Sequence, residues 1–316
     1  MDSIYTLTSL DNFKSYLNKS NTTNDEVLRS IIVSASNFIE SYTKRKIRAR
    51  QYGTGGLDPD YYNGNGKSLL YTNQFPIISV ESLYDDPDRN FTSATLKAST
   101  EYIIWKEEGI IELYSDAING SIFSHDQSNV KLSYTAGYGT FEIITNKNDS
   151  IHFTDDSGSY KAKIDSGVYT ADGLATEIQT QMNASASDTI TVYYDDQTNK
   201  FVISSDGSTF TLNWTNSAIV SKNIGKTIGF DVTSDDSGDT SYTADKSVLG
   251  LPNDIELACI LISMRILNQT GIGADRFDKI SQSIAIEKGG GTLRYSESDM
   301  PLGVKLILDK YKRINV

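Results

Sequence analysis

Residues able to do covalent or metal chemistry are scarce in this chain of 316 residues, which holds one cysteine, Cys259, and two histidines, His125 and His152. Hydrolysis by a side-chain nucleophile needs that nucleophile beside a base. Neither histidine has a cysteine or a G-x-S-x-G element nearby, and no H-E-x-x-H occurs. His125 sits among polar turn residues and His152 within an alternating run, which suits surface and strand-ladder roles. A lone cysteine excludes an intramolecular disulfide and a cysteine-based zinc site. Asp235-Asp236-Ser237-Gly238-Asp239 offers hard oxygens to calcium but lacks the full calcium loop with its closing bidentate glutamate, and reads better as a solvated acidic loop. Asp195 and Asp196 are adjacent, so on a strand their carboxylates face opposite ways and cannot pair as acid and base. Gly289-Gly290-Gly291 is followed by no G-K-[ST] and reads as a hinge rather than a phosphate loop. The expectation is a protein that is not an enzyme and uses no cofactor and no metal.

Charge narrows the classes further. There are 41 acidic and 29 basic residues, a net charge of −12. Residues 141–247 hold 16 acidic and 7 basic residues, or −9, and no arginine, leaving −3 for the rest. Such a surface repels phosphates, so a groove that grips DNA is disfavoured while a passage through which DNA slides is not. The basic cluster Lys44-Arg45-Lys46 invites a phosphate-binding reading. Cations compensating a helix C-terminus explain it better against that acidic total. No run approaches the roughly 20 apolar residues of a membrane span, and the first residues lack a basic, apolar leader pattern. Synthesis in a reducing cytoplasm is expected.

The elements that must position these residues fall into three zones. Thr8 with Asp11 resembles a capping box before a helix carrying Leu10, Phe13 and Leu17. Asn24 then caps a long amphipathic helix with Leu28, Ile31, Ile32, Ala35, Phe38, Ile39 and Tyr42 on one face. From 47 to 138 the pattern is short strands (77–84, 102–105, 110–114 and 130–134) separated by turn chemistry at Asp58-Pro59-Asp60, Asn63-Gly64-Asn65-Gly66 and Asp85-Asp86-Pro87-Asp88. The middle zone predicts strands at 151–153, 160–164, 190–194, 200–204 and 209–214, and a helix with Leu174, Ile178 and Met182. Hairpin turns are expected at 195–199 and at Asp206-Gly207. Helices return after Pro252, with Ile255, Ala258, Ile262 and Ile266, ended by Gly271 and Gly273. The last follows Pro301, with Val304, Ile307, Leu308 and Tyr311 on one face and Lys310, Lys312 and Arg313 near its end.

Joining 1–140 to 248–316 yields a chain that resembles the tailed-phage head–tail connector (head-completion adaptor) family. The opening helix pair, Tyr61-Tyr62-Asn63-Gly64-Asn65-Gly66 with Leu69-Leu70 and Phe75-Pro76-Ile77, and the strand ending Tyr134-Thr135-Ala136-Gly137-Tyr138 carry the resemblance. Gly109-Ile110-Ile111-Glu112-Leu113, Leu251-Pro252-Asn253-Asp254-Ile255, Tyr295, Pro301 and Tyr311-Lys312-Arg313 extend it. The zone 141–247 departs from the family as an insertion. It is similar to a small β-rich module of other phage virion proteins at Gly167-Val168-Tyr169-Thr170, residues 199–204 and Ile228-Gly229-Phe230. The expected fold is α+β: a helical connector domain with short β-strands (1–140 plus 248–316), interrupted by an inserted β-rich α+β domain (141–247) that faces outward.

The resemblance implies a structural virion protein at the neck. It implies a homo-oligomeric ring, usually of twelve copies, that binds the portal protein, meets a stopper or tail-completion protein, and extends a channel through which DNA passes without sequence-specific contact. Candidate portal-docking residues are Val304, Ile307, Leu308, Tyr311, Lys312 and Arg313. Their apolar spacing equally suits a helix packed within its own chain, because spacing alone cannot say whose core it joins. A reading from another class is an adhesin-like neck or tail protein whose insert binds carbohydrate through Tyr193, Tyr194 and Trp214. It requires those rings exposed on one sheet face, whereas Phe201-Ile203 and Phe210-Leu212-Trp214 alternate as a buried face does.

Overall fold

Local capping and apolar spacing place the first two helices. The computed structural model describes residues 5–53, 56–116, 120–270 and 300–313. Helix α1 (Leu10–Tyr16) is capped by Ser9, whose Oγ accepts the Asn12 N–H at 3.0 Å. The cap thus falls one residue after Thr8, whose hydroxyl donates instead to Glu256 Oε1 at 3.0 Å. Helix α2 (Asp25–Thr43) has Asp25 and Glu26 in its first turn, where carboxylates suit the positive end of the dipole. Its stripe Leu28, Ile31, Ile32, Ala35 and Ile39 is buried.

Between α2 and Tyr138 the chain is built from strands. They are β1 (Arg50–Tyr52), β2 (Asp60–Gly64), β3 (Leu69–Tyr71), β4 (Ile77–Asp85), β5 (Tyr102–Trp105), β6 (Ile110–Leu113) and β7 (Asp126–Ala136). The long β7 organises one sheet: β1 and β2 pair antiparallel along one edge and β4 along the other. A second antiparallel sheet runs β3–β6–β5. Among the described residues the only helical turn here is a 3-10 segment at Ser93–Thr95. The expected helical connector domain with short strands is therefore corrected. Strand outweighs helix among the described residues, and this stretch is antiparallel β, so only the broad α+β description fits, and only in part. The physical reason is long-range pairing. Turn chemistry at Asp58-Pro59-Asp60 and Asn63-Gly64 masks β2, which exists because β7 supplies its hydrogen bonds. The core holds Tyr134, fully buried and stacked 5.2 Å from Tyr52, with its hydroxyl donating to Asp60 Oδ2 at 2.7 Å.

The next zone has its own core. Strands β8 (Thr140–Ile143), β9 (Ser150–Asp155), β10 (Gly158–Lys163) and β11 (Gly167–Thr170) lead into helix α3 (Ala171–Asn183), followed by β12 (Ile190–Asp195), β13 (Lys200–Ser205), β14 (Phe210–Leu212), β15 (Asp236–Asp239) and β16 (Ser241–Thr243). Thr170 caps α3 through the Gly173 N–H, and Leu174, Ile178 and Met182 are fully buried. The sheets run β10–β9–β14–β15, β12–β13–β16 and β11–β8. The β12–β13 turn closes a hairpin as expected, with Asn199 at φ 57. Asp206-Gly207 does not close one: β13 pairs with β12 and β16, β14 with β9 and β15, so the chain crosses between sheets there. The acidic run 235–239 is likewise corrected from loop to strand, because β15 pairs with β14. A buried cluster drawn entirely from residues between Phe141 and Ala244 fills this zone.

Gly250 returns the chain at φ +62, and a Cβ there would lie 2.7 Å from the Thr140 carbonyl oxygen, so the two backbones touch. Helix α4 (Asn253–Thr270) follows and buries Ile255, Ala258, Cys259 and Ile262, with Cys259 Sγ 3.6 Å from Ser36 Oγ. Glu256 also accepts from Asn12 Nδ2 at 2.6 Å. The last element is α5 (Leu302–Asp309). Gly271, Gly273, the glycines 289–291 and Tyr295 lie outside the described residues. By packing, the chain divides into two units: Met1–Ile39 with Gly139–Ile307, and Glu40–Tyr138 with Leu308–Val316. Among the described residues no helix is long and apolar enough to cross a membrane.

Candidate docking site at the last helix

Pro301 opens α5 and accepts the Lys305 N–H at 3.0 Å. Of the expected docking residues, Val304 and Leu308 are buried (1% and 0% exposed), Ile307, Tyr311 and Lys312 are half-buried, and Arg313 is exposed. The apolar side chains that α5 turns to solvent are others: Leu302 is 72% exposed and Leu306 61%. They stand four residues apart and so share one face. The same i, i+4 spacing is legible in the sequence, but the wider stripe through Val304 and Leu308 is the more apolar signal and obscures it.

Residues after Leu308 engage this chain's own side chains. The Tyr311 ring meets Tyr138 edge-on at 5.5 Å, and the Arg313 N–H donates to the Thr43 carbonyl at 3.0 Å. Lys312 Nζ sits 3.9 Å above the Tyr42 ring and 3.1 Å from Asp309 Oδ1, which also accepts the Tyr42 hydroxyl at 2.7 Å. The hydrogen bond with Tyr42 raises the Lys312 ammonium, with Asp309 adding to it, and burial raises the Tyr42 phenol, so both stay protonated. This cluster ties the chain's end to the C-terminus of α2.

The basic cluster after α2 is built in the same way. Lys44 takes φ +56 and ends the helix. Arg45 is 3% exposed, donates to the Phe75 carbonyl, and lies 3.5 Å over the Phe75 ring and 5.4 Å from that of Tyr138. Burial pushes its guanidinium down to about 10. Lys46 and Arg50 each meet Glu40 at 2.8 Å. Two of the three cluster cations are thus engaged within the chain, which suits the structural reading better than a phosphate groove.

The other groupings bring no reactive pair together. His125 is exposed, and His152 lies in β9 with Nδ1 3.4 Å from Asn213 Nδ2, its imidazole lowered by burial and then by Lys161. Asp195 accepts from the Gln197 N–H and Thr198 hydroxyl, a turn-forming role. Trp214 is fully buried, donating to Asp236 Oδ2 at 2.8 Å, and Tyr194 is buried with its hydroxyl on the Val248 carbonyl; of the three sugar-stacking candidates only Tyr193 is exposed. Among the described residues no group of acidic, histidine or cysteine side chains is placed to hold a metal.

Comparison with known proteins bears on these readings. Residues 7–134 match the model of the phage gp6-like head-tail connector protein family. The match takes in 128 of the 316 residues and says what this part of the chain is similar to. That family's description is of a protein connecting phage head and tail. The match spans α1, α2 and the strands from β1 to all but the last two residues of β7, where most of the first-flank features lie; of Tyr134-Thr135-Ala136-Gly137-Tyr138 it reaches only Tyr134. No curated protein matches the chain.

Proposed function

We propose that the chain is an adaptor subunit of the virion neck, forming a closed ring of twelve copies on the portal, extending the DNA channel and presenting a face to the stopper or tail-completion protein. The connector match over residues 7–134 carries this reading. The acidic balance suits a channel that passes DNA without gripping it. Portal docking is assigned to the segment of Val304, Ile307, Leu308, Tyr311, Lys312 and Arg313. Burial of Val304 and Leu308 gives those two an anchoring part and leaves direct contact to exposed neighbours on α5.

Within this reading residues 1–140 and 248–316 form the connector part and 141–247 is an insertion turned away from the channel. Two observations support the insertion. Its buried core is drawn from its own residues, and its entry at Thr140 and exit at Gly250 touch, as an insertion into one loop requires. Electron microscopy of full-length protein mixed with purified portal tests the proposal. Rings capping the portal are the expected result. A folded protein that neither binds portal nor occurs in virions refutes it.

A further inference from the structure

An antiparallel sheet that covers a core on one face ordinarily turns polar side chains to water on the other. The sheet β3–β6–β5 does not. Its inner face buries Leu70, Ile111, Leu113 and Tyr102. The registers Leu69↔Glu112↔Ile103 and Tyr71↔Ile110↔Trp105 set six residues on the opposite face, and all but Glu112 are apolar or aromatic. Tyr71, Ile103 and Trp105 are exposed at 42%, 37% and 47%. Glu112 sits in the middle strand and accepts the Trp105 indole N–H at 3.0 Å. A surface that buries this face must bring aromatic or aliphatic groups and one cation to answer the carboxylate.

The β7 sheet carries such a surface. The register Tyr61↔Lys131↔Tyr84 places an ammonium between two tyrosines. Phe91 packs onto both rings, at 5.7 Å and 6.2 Å, and Lys131 Nζ lies 5.5 Å from the Phe91 centroid and 5.7 Å from that of Tyr84. The loop holding Phe91 is pinned by the Asp86 carboxylate, which accepts the N–H groups of Phe91 at 2.7 Å, Asp88 at 3.0 Å and Asn90 at 3.1 Å. Among the described residues neither Glu112 nor Lys131 has an ion-pair partner. One unit of one chain thus shows an apolar face centred on an anion and an aromatic face centred on a cation.

We propose that the outer face of β3–β6–β5 packs on the Tyr61–Tyr84–Phe91–Lys131 surface of a second copy of this chain, with Glu112 opposite Lys131. Each copy then gives one patch to one neighbour and the other patch to the next, a head-to-tail contact that closes into a ring where the rotation between copies closes. The inference rests on the ring-subunit reading and assigns its subunit contact.

The test uses full-length protein assembled on purified portal. Glu112→Cys and Lys131→Cys are placed together in one chain and treated with a short bis-maleimide; Cys259 is fully buried and does not compete. A ladder of covalent multimers from the double variant, with none from either single variant, is the expected result. In parallel, Glu112→Lys and Lys131→Glu should each lower the oligomer yield about tenfold or more, and the combined reversal should restore it; circular dichroism confirms that each variant is folded. Rings visible in the microscope without a ladder overturn this contact and leave the ring reading standing. Dimers from one single-cysteine variant mean a face packed on its own copy and also overturn it. Absence of any higher oligomer, even with a nonselective amine cross-linker, overturns the contact and the ring together.

Discussion

Arg45 offers a sharp test of the structural reading of the basic cluster. Its guanidinium is buried, stacked over Phe75 and bonded to the Phe75 carbonyl, yet burial still pushes it down to about 10. The site therefore accommodates the stem more readily than the charge. Arg45→Ala removes the stem, the ring contact and the hydrogen bond and opens a cavity; large-to-small changes of this kind cost about 3 kcal/mol. Arg45→Met keeps an unbranched stem against Phe75 and Tyr138 and removes the desolvated charge, so its cost should stay under about 1.5 kcal/mol. Urea unfolding followed by tryptophan fluorescence or circular dichroism gives both values. At about 4–8 °C per kcal/mol for a unit of about 100 residues, the size of that of Glu40–Tyr138 with Leu308–Val316, the alanine variant should also melt roughly 12–24 °C lower. Affinity for a DNA duplex should be unchanged in both variants. A methionine variant as unstable as the alanine one would show that the cation's own bonds hold the site. Matched losses of DNA affinity would show that the cluster is a phosphate contact after all.

Leu302→Asp and Leu306→Asp should leave the melting temperature within about 2 °C while weakening portal binding about tenfold. Val304→Asp should instead destabilise the fold by about 3 kcal/mol, since it buries a charge; portal pull-downs with matched melts separate the two cases. Gly250→Ala should cost about 2 kcal/mol in urea unfolding, because φ is +62 and the new Cβ would lie 2.7 Å from the Thr140 oxygen. Asp156 is held down to about 2 by the Ser208 amide and then the Thr209 hydroxyl and amide; Asp206 is lowered by the Thr189 amide, and at Asp155 backbone amides outweigh the burial that works to raise it. Folded values below unfolded ones mean stability that is present above about pH 4 and lost as pH falls through about 2. Melts between pH 5 and 2 should show that loss, and Asp156→Asn should flatten it.

Much of the helical scaffold was legible because its periodicity is local. The stripe Leu28–Ile31–Ile32–Ala35 and that of Ile255–Ala258–Ile262 both proved buried. Strand runs rich in isoleucine, valine and aromatics, such as 102–105 and 190–194, also emerged where expected. What escaped was pairing. β1 and β2 contain arginine, glutamine, asparagine and glycine, and nothing in their own residues demands a strand; β7 supplies the demand. Asp236–Asp239 has little strand propensity, and its place follows from pairing with β14 and the Trp214–Asp236 bond. On α5 the spacing identified an apolar face correctly. Which side of the helix meets its own chain depends on packing that spacing does not encode, so the exposure of Leu302 and Leu306 is not legible in it.

The hydrogen bonds from Thr8 and Asn12 to Glu256 span 248 and 244 positions of sequence. During synthesis, α1 and α2 leave the ribosome long before α4 exists. Residues 141–247 contain every member of their own buried cluster, so they can collapse before α4, whose Cys259 Sγ lies 3.6 Å from Ser36 Oγ of α2, has been made. The nascent chain must carry α2 without this partner through the making of two strand-rich segments, which is the interval in which chaperone capture or aggregation competes with folding. A chain stalled once residue 247 has left the ribosome should therefore hold residues 141–247 folded beside an α2 that lacks its α4 partner.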